Sequence, residues 1–336
     1  FGGAIPYEKL IVHNWRRDVV LLGYVPGEYV AKVSDGIMDE PIPVEVNRRI
    51  VSGEYNLIVS IGQVVPHEVA GMANYSKNIF VGCGGSAMIS ASHMLGAAYG
   101  MERIMGRADN PVRAVFDYAE EHFLSHLPIL YALTVTTRKP EGEFDGVSLE
   151  GLFIGREREN FIRAAELSEK LNFIRTGRPP KKIVCRLDEH EFHSTWLGNK
   201  AVYRTRLAIA DGGELIILAP GVRQFGEDEI CDRLIRKYGY TGRDRILKLA
   251  KMEQDLRENL SAAAHLIHGS SDGRFEIFYA APLLSREEVE GVGYKWLDYN
   301  EIVEKYNPSQ LKEGWNNIGG EEIYYIDNPA LGLWNV

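Results

Sequence analysis

The stretch Ile61-Gly62-Gln63-Val64-Val65-Pro66-His67-Glu68-Val69-Ala70-Gly71-Met72-Ala73-Asn74-Tyr75-Ser76-Lys77-Asn78-Ile79-Phe80-Val81-Gly82-Cys83-Gly84-Gly85-Ser86, followed by small residues as far as His93, decides how this chain is read. An apolar run over 55–62 has the composition of a buried strand. The glycine-rich turn Gly82-Cys83-Gly84-Gly85-Ser86 follows, and then a helix expected to start at Ser86 and run to Gly96. His67, Lys77 and His93 punctuate the stretch at intervals of ten and sixteen residues. An imidazole, an amine, a turn of phosphate size and a second imidazole therefore lie where a strand hands over to a helix. Open α/β sheets bind ligands at such places.

On the N-terminal side, short strands are expected over 9–14 and 19–23, and a short helical link over 45–50. Downstream, a helix over 111–125, a strand over 129–136, a turn over 138–145, more strand to Gly155 and an amphipathic helix over 157–172 complete a first unit. The polar, proline-stiffened run Thr176-Gly177-Arg178-Pro179-Pro180-Lys181-Lys182 reads as a linker. Beyond it, strands at 183–187, 214–219 and 275–280 alternate with helices over 194–210, 228–238, 243–266, 285–291 and 299–306. The class expected is α/β with two domains, each a mainly parallel sheet flanked by helices, and an active site in the cleft between them. A first domain is assigned to 1–175, a second to 183–325, and a tail over 326–336 is expected to return to the first.

Bulk composition narrows the function. The chain has 336 residues and a formal net charge of −9, which disfavours a nucleic-acid partner. No apolar run suits a bilayer and no export signal opens the chain, so no membrane partner is expected. Cys83, Cys185 and Cys231 form neither a disulfide framework nor a zinc pattern, which fits a reducing cytoplasm.

Each candidate has a plain structural alternative. His67 alone is also a residue that caps a strand end, His93 a satisfied core histidine, and Lys77 a surface lysine. The turn can offer backbone N–H groups to a phosphate through Gly82, Gly84, Gly85 and Ser86, yet it lacks the full P-loop or dinucleotide fingerprint. His190 and His193 follow a strand end near Lys200. His265 and His268 lie three apart on one helix, before Gly269-Ser270-Ser271-Asp272-Gly273-Arg274; a substrate hydroxyl, a phosphate or a structural role suits them, and no third metal ligand is evident. His122, His126 and the pairs Glu120-Glu121 and Glu321-Glu322 read as surface.

Taken together, Gly62-x3-Pro66-His67-x2-Ala70-Gly71-x5-Lys77, then Gly82, then His93, resembles the nickel-pincer lactate racemase family of 2-hydroxyacid racemases and epimerases. The resemblance extends to His13-Asn14-Trp15, 44–48, 152–155 and Asp211-Gly212-Gly213. It implies that Lys77 carries a thioamide-linked pyridinium mononucleotide, that His93 ligates nickel beside the pincer's two sulfurs and ring carbon, and that His67 is one of two acid/base histidines. It further implies that the second such histidine and a carboxylate-binding arginine belong to a segment preceding Phe1. Two departures stand out. Asn74-Tyr75-Ser76 occupy positions where the family usually has a glycine pair, and Trp196-Leu197-Gly198-Asn199-Lys200 stands for an aromatic-Gln-x-x-Lys segment. Trp196 and Lys200 are thereby expected substrate contacts, and His193, after a strand end close to Lys200, is expected to line the cleft with them.

Inversion at C2 of a hydroxy acid by proton removal is hard, because a carboxylate is a poor electron sink. Moving hydrogen as hydride avoids the carbanion and needs an imidazole near each face and a cation for the carboxylate. The activity expected is isomerisation: racemisation or epimerisation of a 2-hydroxy acid, with an aldonate such as gluconate or mannonate suggested by Asn199, His190 and His193. Cofactor-synthesis enzymes are the expected protein partners. An NAD-type hydroxyacid dehydrogenase is the competing enzyme, weakened by the missing G-x-G-x-x-G turn. A non-catalytic family member that binds a small molecule is the third reading.

Overall fold

The computed structural model describes residues 9–138 and 146–336. Beyond Arg138, the turn expected over 138–145 lies outside the described residues, as does the segment at Phe1. The α/β class is observed, with several sheets flanked by helices. Its larger sheet has six strands, in the order Lys295–Trp296, Glu276–Ala280, Glu214–Leu218, Lys182–Arg186, Glu321–Ile326 and Gly314–Ile318. All neighbours run parallel except the final pair. Both faces are covered: Ile183, Leu215 and Ile217 point into one core, and Val184, Ile216 and Leu218 into another. Two buried faces explain why these strands read as unbroken apolar runs.

The N-terminal half is less parallel than expected. Ile58–Gln63 pairs in parallel with Ile129–Arg138, which pairs antiparallel with Val147–Gly155. An antiparallel pair, Val19–Val25 with Ile42–Asn47, stands beside this sheet. The run over 55–62 is not a fully buried strand either, because Val59 and Ile61 remain 46% and 65% exposed on the open face. The helical link expected over 45–50 is a strand ending in a turn. Ile42, Val44 and Val46 are buried at every second position, which is strand periodicity. Residues 9–14 form no strand.

Two expected long helices are interrupted. The one over 243–266 becomes Arg243–Met252, Gln254–Arg257 and Leu260–His268, broken where Glu253 and Asn259 leave helical geometry. Asn259 donates its side-chain N–H to the Asp255 carbonyl at 2.8 Å, a local bond that competes with helix continuation. The one over 194–210 becomes Thr195–Gly198 and Lys200–Thr205.

Residues 25–165 supply one core, and another is drawn mainly from 183–334. The Ser86–Tyr99 helix joins them. Met88 and Leu95 sit in the first core, Met94 and Ala97 in the second, and the helix packs along Leu260–His268. The tail turns back as Leu333–Asn335, parallel to Phe173–Arg175.

Candidate functional site

His67 ends the two-residue strand Pro66–His67, which folds back onto Gly71–Met72. Gly71 has φ +75°, and a Cβ there would sit 2.0 Å from the Arg107 carbonyl oxygen, so the turn admits only glycine. The turn aims the backbone N–H groups of Val69 and Ala70 at His67 Nδ1, at 3.1 and 3.3 Å. With Nδ1 accepting, the neutral ring carries its proton on Nε2. Burial pushes the imidazole down to about 3, aided by the charges of Lys77, His93 and Arg204 and opposed by Glu68.

Lys77 follows two non-glycine residues in the left-handed region, Asn74 at φ +68° and Tyr75 at φ +56°. These are the positions where glycines were expected, so the backbone shape a glycine pair gives freely is here held by tertiary contacts. Tyr75 stacks on Phe161 at 5.1 Å and tilts against Tyr131 at 4.4 Å. Arg113, wholly buried, donates to the carbonyls of Met72 (2.7 Å) and Asn74 (3.3 Å) and to Ser76 Oγ (3.0 Å). Replacing Arg113 with leucine strands these acceptors, and we expect a loss of about 3 kcal/mol or more in urea unfolding. Unchanged stability would show that the loop holds itself. The Lys77 amine makes no hydrogen bond or ion pair among the described residues. Burial lowers its pKa, with Arg113 adding and Glu68 opposing, which favours the neutral, nucleophilic form.

The glycine turn is not free for a phosphate in the way the sequence suggests. Gly84 bridges to Val46, Cys83 O accepts from Asn47 N at 2.7 Å, and Gly84 O accepts from His13 Nε2 at 2.9 Å. A Cβ on Gly84 would meet the Phe80 carbonyl at 1.8 Å, and one on Gly85 would meet the Glu45 carboxylate at 2.2 Å. Gly85, not Ser86, is the N-cap, and the Glu45 carboxylate accepts from Ala87 N at 3.0 Å. The helix start already has its anion. Gly82 and Ser86 remain exposed. Glu45→Ala removes this cap and should cost about 1 kcal/mol in chemical unfolding; an unchanged midpoint would sink that assignment.

Farther along the helix, His93 Nδ1–H donates to the Ile89 carbonyl at 2.7 Å. This fixes the tautomer and leaves Nε2 bare, the arrangement of a ligating or proton-accepting imidazole. Burial lowers its pKa as well.

Glu68 is the electrostatic centre of the cluster. Its carboxylate acts on His67, Lys77, His93 and His268, and lies 3.6 Å from Arg204 Nη2. Although burial opposes it, His67, Arg204, a backbone hydrogen bond and His268 hold Glu68 well below the usual carboxylate range. From the second core, Arg204 reaches across to donate to the Pro66 carbonyl at 3.2 Å. The structure thus brings together His67, Lys77 and His93 and adds Glu68, Arg204 and His268. Glu68 and Arg204 went unread in the sequence, although the first adjoins His67 and the second lies one helical turn after Lys200.

The remaining expectations land elsewhere. Trp196 stacks on His265 at 4.1 Å, and His265 Nε2 bonds the Tyr240 hydroxyl at 3.1 Å, a packed structural pair. Lys200 has its ammonium 5.6 Å from the Phe192 ring centre. His193 keeps a buried, unpaired Nδ1. His190 is exposed beside Glu189. Asn199 is fully buried, accepting from Tyr294 OH at 3.0 Å. Glu120 is not a surface residue, since it is 7% exposed and accepts from Tyr131 OH at 2.7 Å. Burial raises the Cys83 thiol. Among the described residues, no cluster of three or more His, Cys, Asp or Glu is placed to hold a metal alone.

Parts of this chain are similar to known proteins. Residues 30–103, which hold His67, Lys77 and His93, match the lactate racemase N-terminal domain. Over those residues the chain is similar to that domain. Its fold is similar to the lactate racemase apoprotein from Thermoanaerobacterium thermosaccharolyticum, with TM-score 0.67 and 17% identity over 97% of this chain and 71% of that one. A structural-genomics protein from Thermotoga maritima superposes with TM-score 0.76 at 23% identity, over 96% of this chain and 77% of the other. No match is found among curated proteins. No helix among the described residues is long and apolar enough to cross a membrane.

Proposed function

We propose that the protein inverts C2 of a 2-hydroxy acid with a nickel-pincer nucleotide carried on Lys77 and ligated by His93. The observation that carries this is the pairing of an unpartnered, burial-activated Lys77 amine with an imidazole whose Nδ1 is anchored and whose Nε2 is bare. The residues fit the group: an amine to carry it, and one nitrogen donor to add to a pincer that brings its own three. When bound, such a group supplies an electrophilic carbon that takes and returns the C2 hydrogen as hydride.

The chain's own residues do the rest. His67, with its proton on Nε2, is set to donate to the oxygen at C2. Glu68 holds the local charge balance between the cations. The two cores meeting at the Ser86–Tyr99 helix keep water away from the reacting carbon. With Asn199 sealed and His190 facing solvent, a polyhydroxylated substrate is supported by His193 and by the missing amide at Leu197. Lactate and gluconate therefore both belong in a first substrate panel. Cofactor-making enzymes as partners and a cytoplasmic location form part of the same proposal.

The test is to co-produce the chain with cofactor-making enzymes and incubate it with enantiopure 2-hydroxy acids in deuterium oxide. Inversion with the C2 hydrogen retained is expected, since hydride does not exchange with solvent. Inversion with deuterium at C2 would replace hydride transfer by proton abstraction. NAD-dependent keto-acid formation would make the protein a dehydrogenase.

A further inference from the structure

Three buried side-chain atoms without hydrogen-bond partners fall in the cluster around His67: Glu68 Oε2, Arg204 Nε and His268 Nε2. Folded proteins pair nearly all buried polar atoms, so unpaired ones gathered in a single cluster mark a place that a polar ligand completes. We infer that Arg204 and His268 are the substrate-gripping pair contributed by the second core, Arg204 taking the carboxylate and His268 the adjacent 2-hydroxyl of a small 2-hydroxy acid. This rests on the hydroxy-acid reading above and changes which residues hold the substrate, from Lys200, Trp196 and His193 to these two.

Arg204 is committed on one edge only. Nη1 donates to Pro66 O at 3.2 Å and Nη2 lies 3.6 Å from Glu68, which leaves Nε–H unspent. A carboxylate oxygen is the natural acceptor for a guanidinium N–H. His268 is the last residue of the Leu260–His268 helix, which packs along the helix carrying His93. Its ring meets Tyr203, the neighbour of Arg204 in the chain, edge-on at 6.5 Å. A neutral imidazole nitrogen either donates to a hydroxyl or accepts from it, and a hydroxyl does both. His265, three residues earlier, makes the contrast: its Nε2 is satisfied by Tyr240 and its face is covered by Trp196, so it has nothing left to offer a ligand.

His67 supplies the chemical need. Its Nδ1 is taken by two backbone N–H groups, so the neutral ring has a proton to give at Nε2 and no bare nitrogen with which to hold a hydroxyl proton. Another group must face that hydroxyl as an acceptor; with the bare Nε2 of His93 reserved for the nickel in the proposed function, His268 is the buried imidazole of the cluster with an uncommitted nitrogen to give it.

Calorimetric titration of the purified chain with L-lactate, D-lactate and propionate tests the pair. Parent protein should bind both lactates more tightly than propionate. Arg204→Ala should weaken all three by about tenfold or more, the scale of a lost charged hydrogen bond. Arg204→Lys, which keeps the charge and loses the fork, should fall between, and it serves if the alanine variant does not fold. His268→Phe should bind propionate as before and lose the preference for lactate. Parent-like lactate binding in the Arg204 and His268 variants, or a loss seen only in Lys200→Ala, would overturn the pair while leaving the hydroxy-acid reading in place. A parent that binds neither lactate, nor gluconate titrated in the same way, would overturn both.

Discussion

Lys77→Ala protein, co-produced with cofactor-making enzymes, should emerge at its unmodified mass and without nickel, while the parent carries an added mass on the peptide containing Lys77 and about one nickel per chain. The effect is all-or-none because a covalent attachment needs its amine, and no other described residue in the cluster offers one. His93→Ala separates the two events. It keeps the amine and the attached mass but loses a ligand nitrogen, so the mass increment should persist while nickel falls toward zero. Parent protein with bare Lys77 and no metal under those conditions would remove the central claim. The loop geometry makes the first variant informative, because the left-handed Asn74 and Tyr75 are held by Arg113, Phe161 and Tyr131, not by Lys77. The folded state should therefore survive the substitution.

A second large effect concerns acid. Burial pushes His67, His265 and His268 each down to about 3. In the unfolded chain these imidazoles titrate near the ordinary value of about 6.5. Below that pH the unfolded state binds protons that the folded state refuses, so stability is complete above about 6.5 and drains away as pH falls toward 3. Each such group contributes a slope of about 1.4 kcal/mol per pH unit, and together they make several kcal/mol between pH 7 and 5. Denaturant unfolding at those two pH values should show this loss. His265→Gln should shallow the slope by about one proton, since that residue is bound up with Tyr240 and Trp196 and takes no part in the proposed chemistry. A flat profile from pH 7 to 5 would mean that these rings stay reachable by protons in the folded state.

Much of the fold was legible because period and punctuation carry it. After Lys182 the strands and the helices expected over 228–238, 285–291 and 299–306 appear with nearly the expected boundaries, and the spacing of His67, Lys77 and His93 picks out residues that share one electrostatic cluster. What escaped depends on partners far apart in the chain. Nothing local announces that Glu45 caps a helix beginning at Ser86, or that Arg113 holds the loop before Lys77. The 45–50 segment was misread because its alternation starts three residues earlier, at Ile42. Arg204 lay hidden behind Lys200, since sequence spacing puts both on one helix face and only the fold shows which meets Glu68. The glycine turn looked available because its composition is that of a phosphate loop, while its actual bonds go to Asn47 and His13.

The Ser86–Tyr99 helix belongs to both cores at once, with Met88 and Leu95 anchored on one side and Met94 and Ala97 on the other. Such an element acts as an axle. Swinging one half about it would break the bonds that cross elsewhere, such as Arg204 to Pro66 and Arg206 to Glu102, whereas tilting the helix itself would open voids in two cores together. His93 rides on the axle, Lys77 on the side of the first core, and Arg204 and His268 on the side of the second. Were the second core to swing away to admit or release a small molecule, the distance from Arg204 and His268 to His93 would change while the spacing of His93 to Lys77 was spared, and the Arg204–Pro66 bond would be the first to part. A metal held between His93 and a group on Lys77 would be carried through each opening without strain on its bonds.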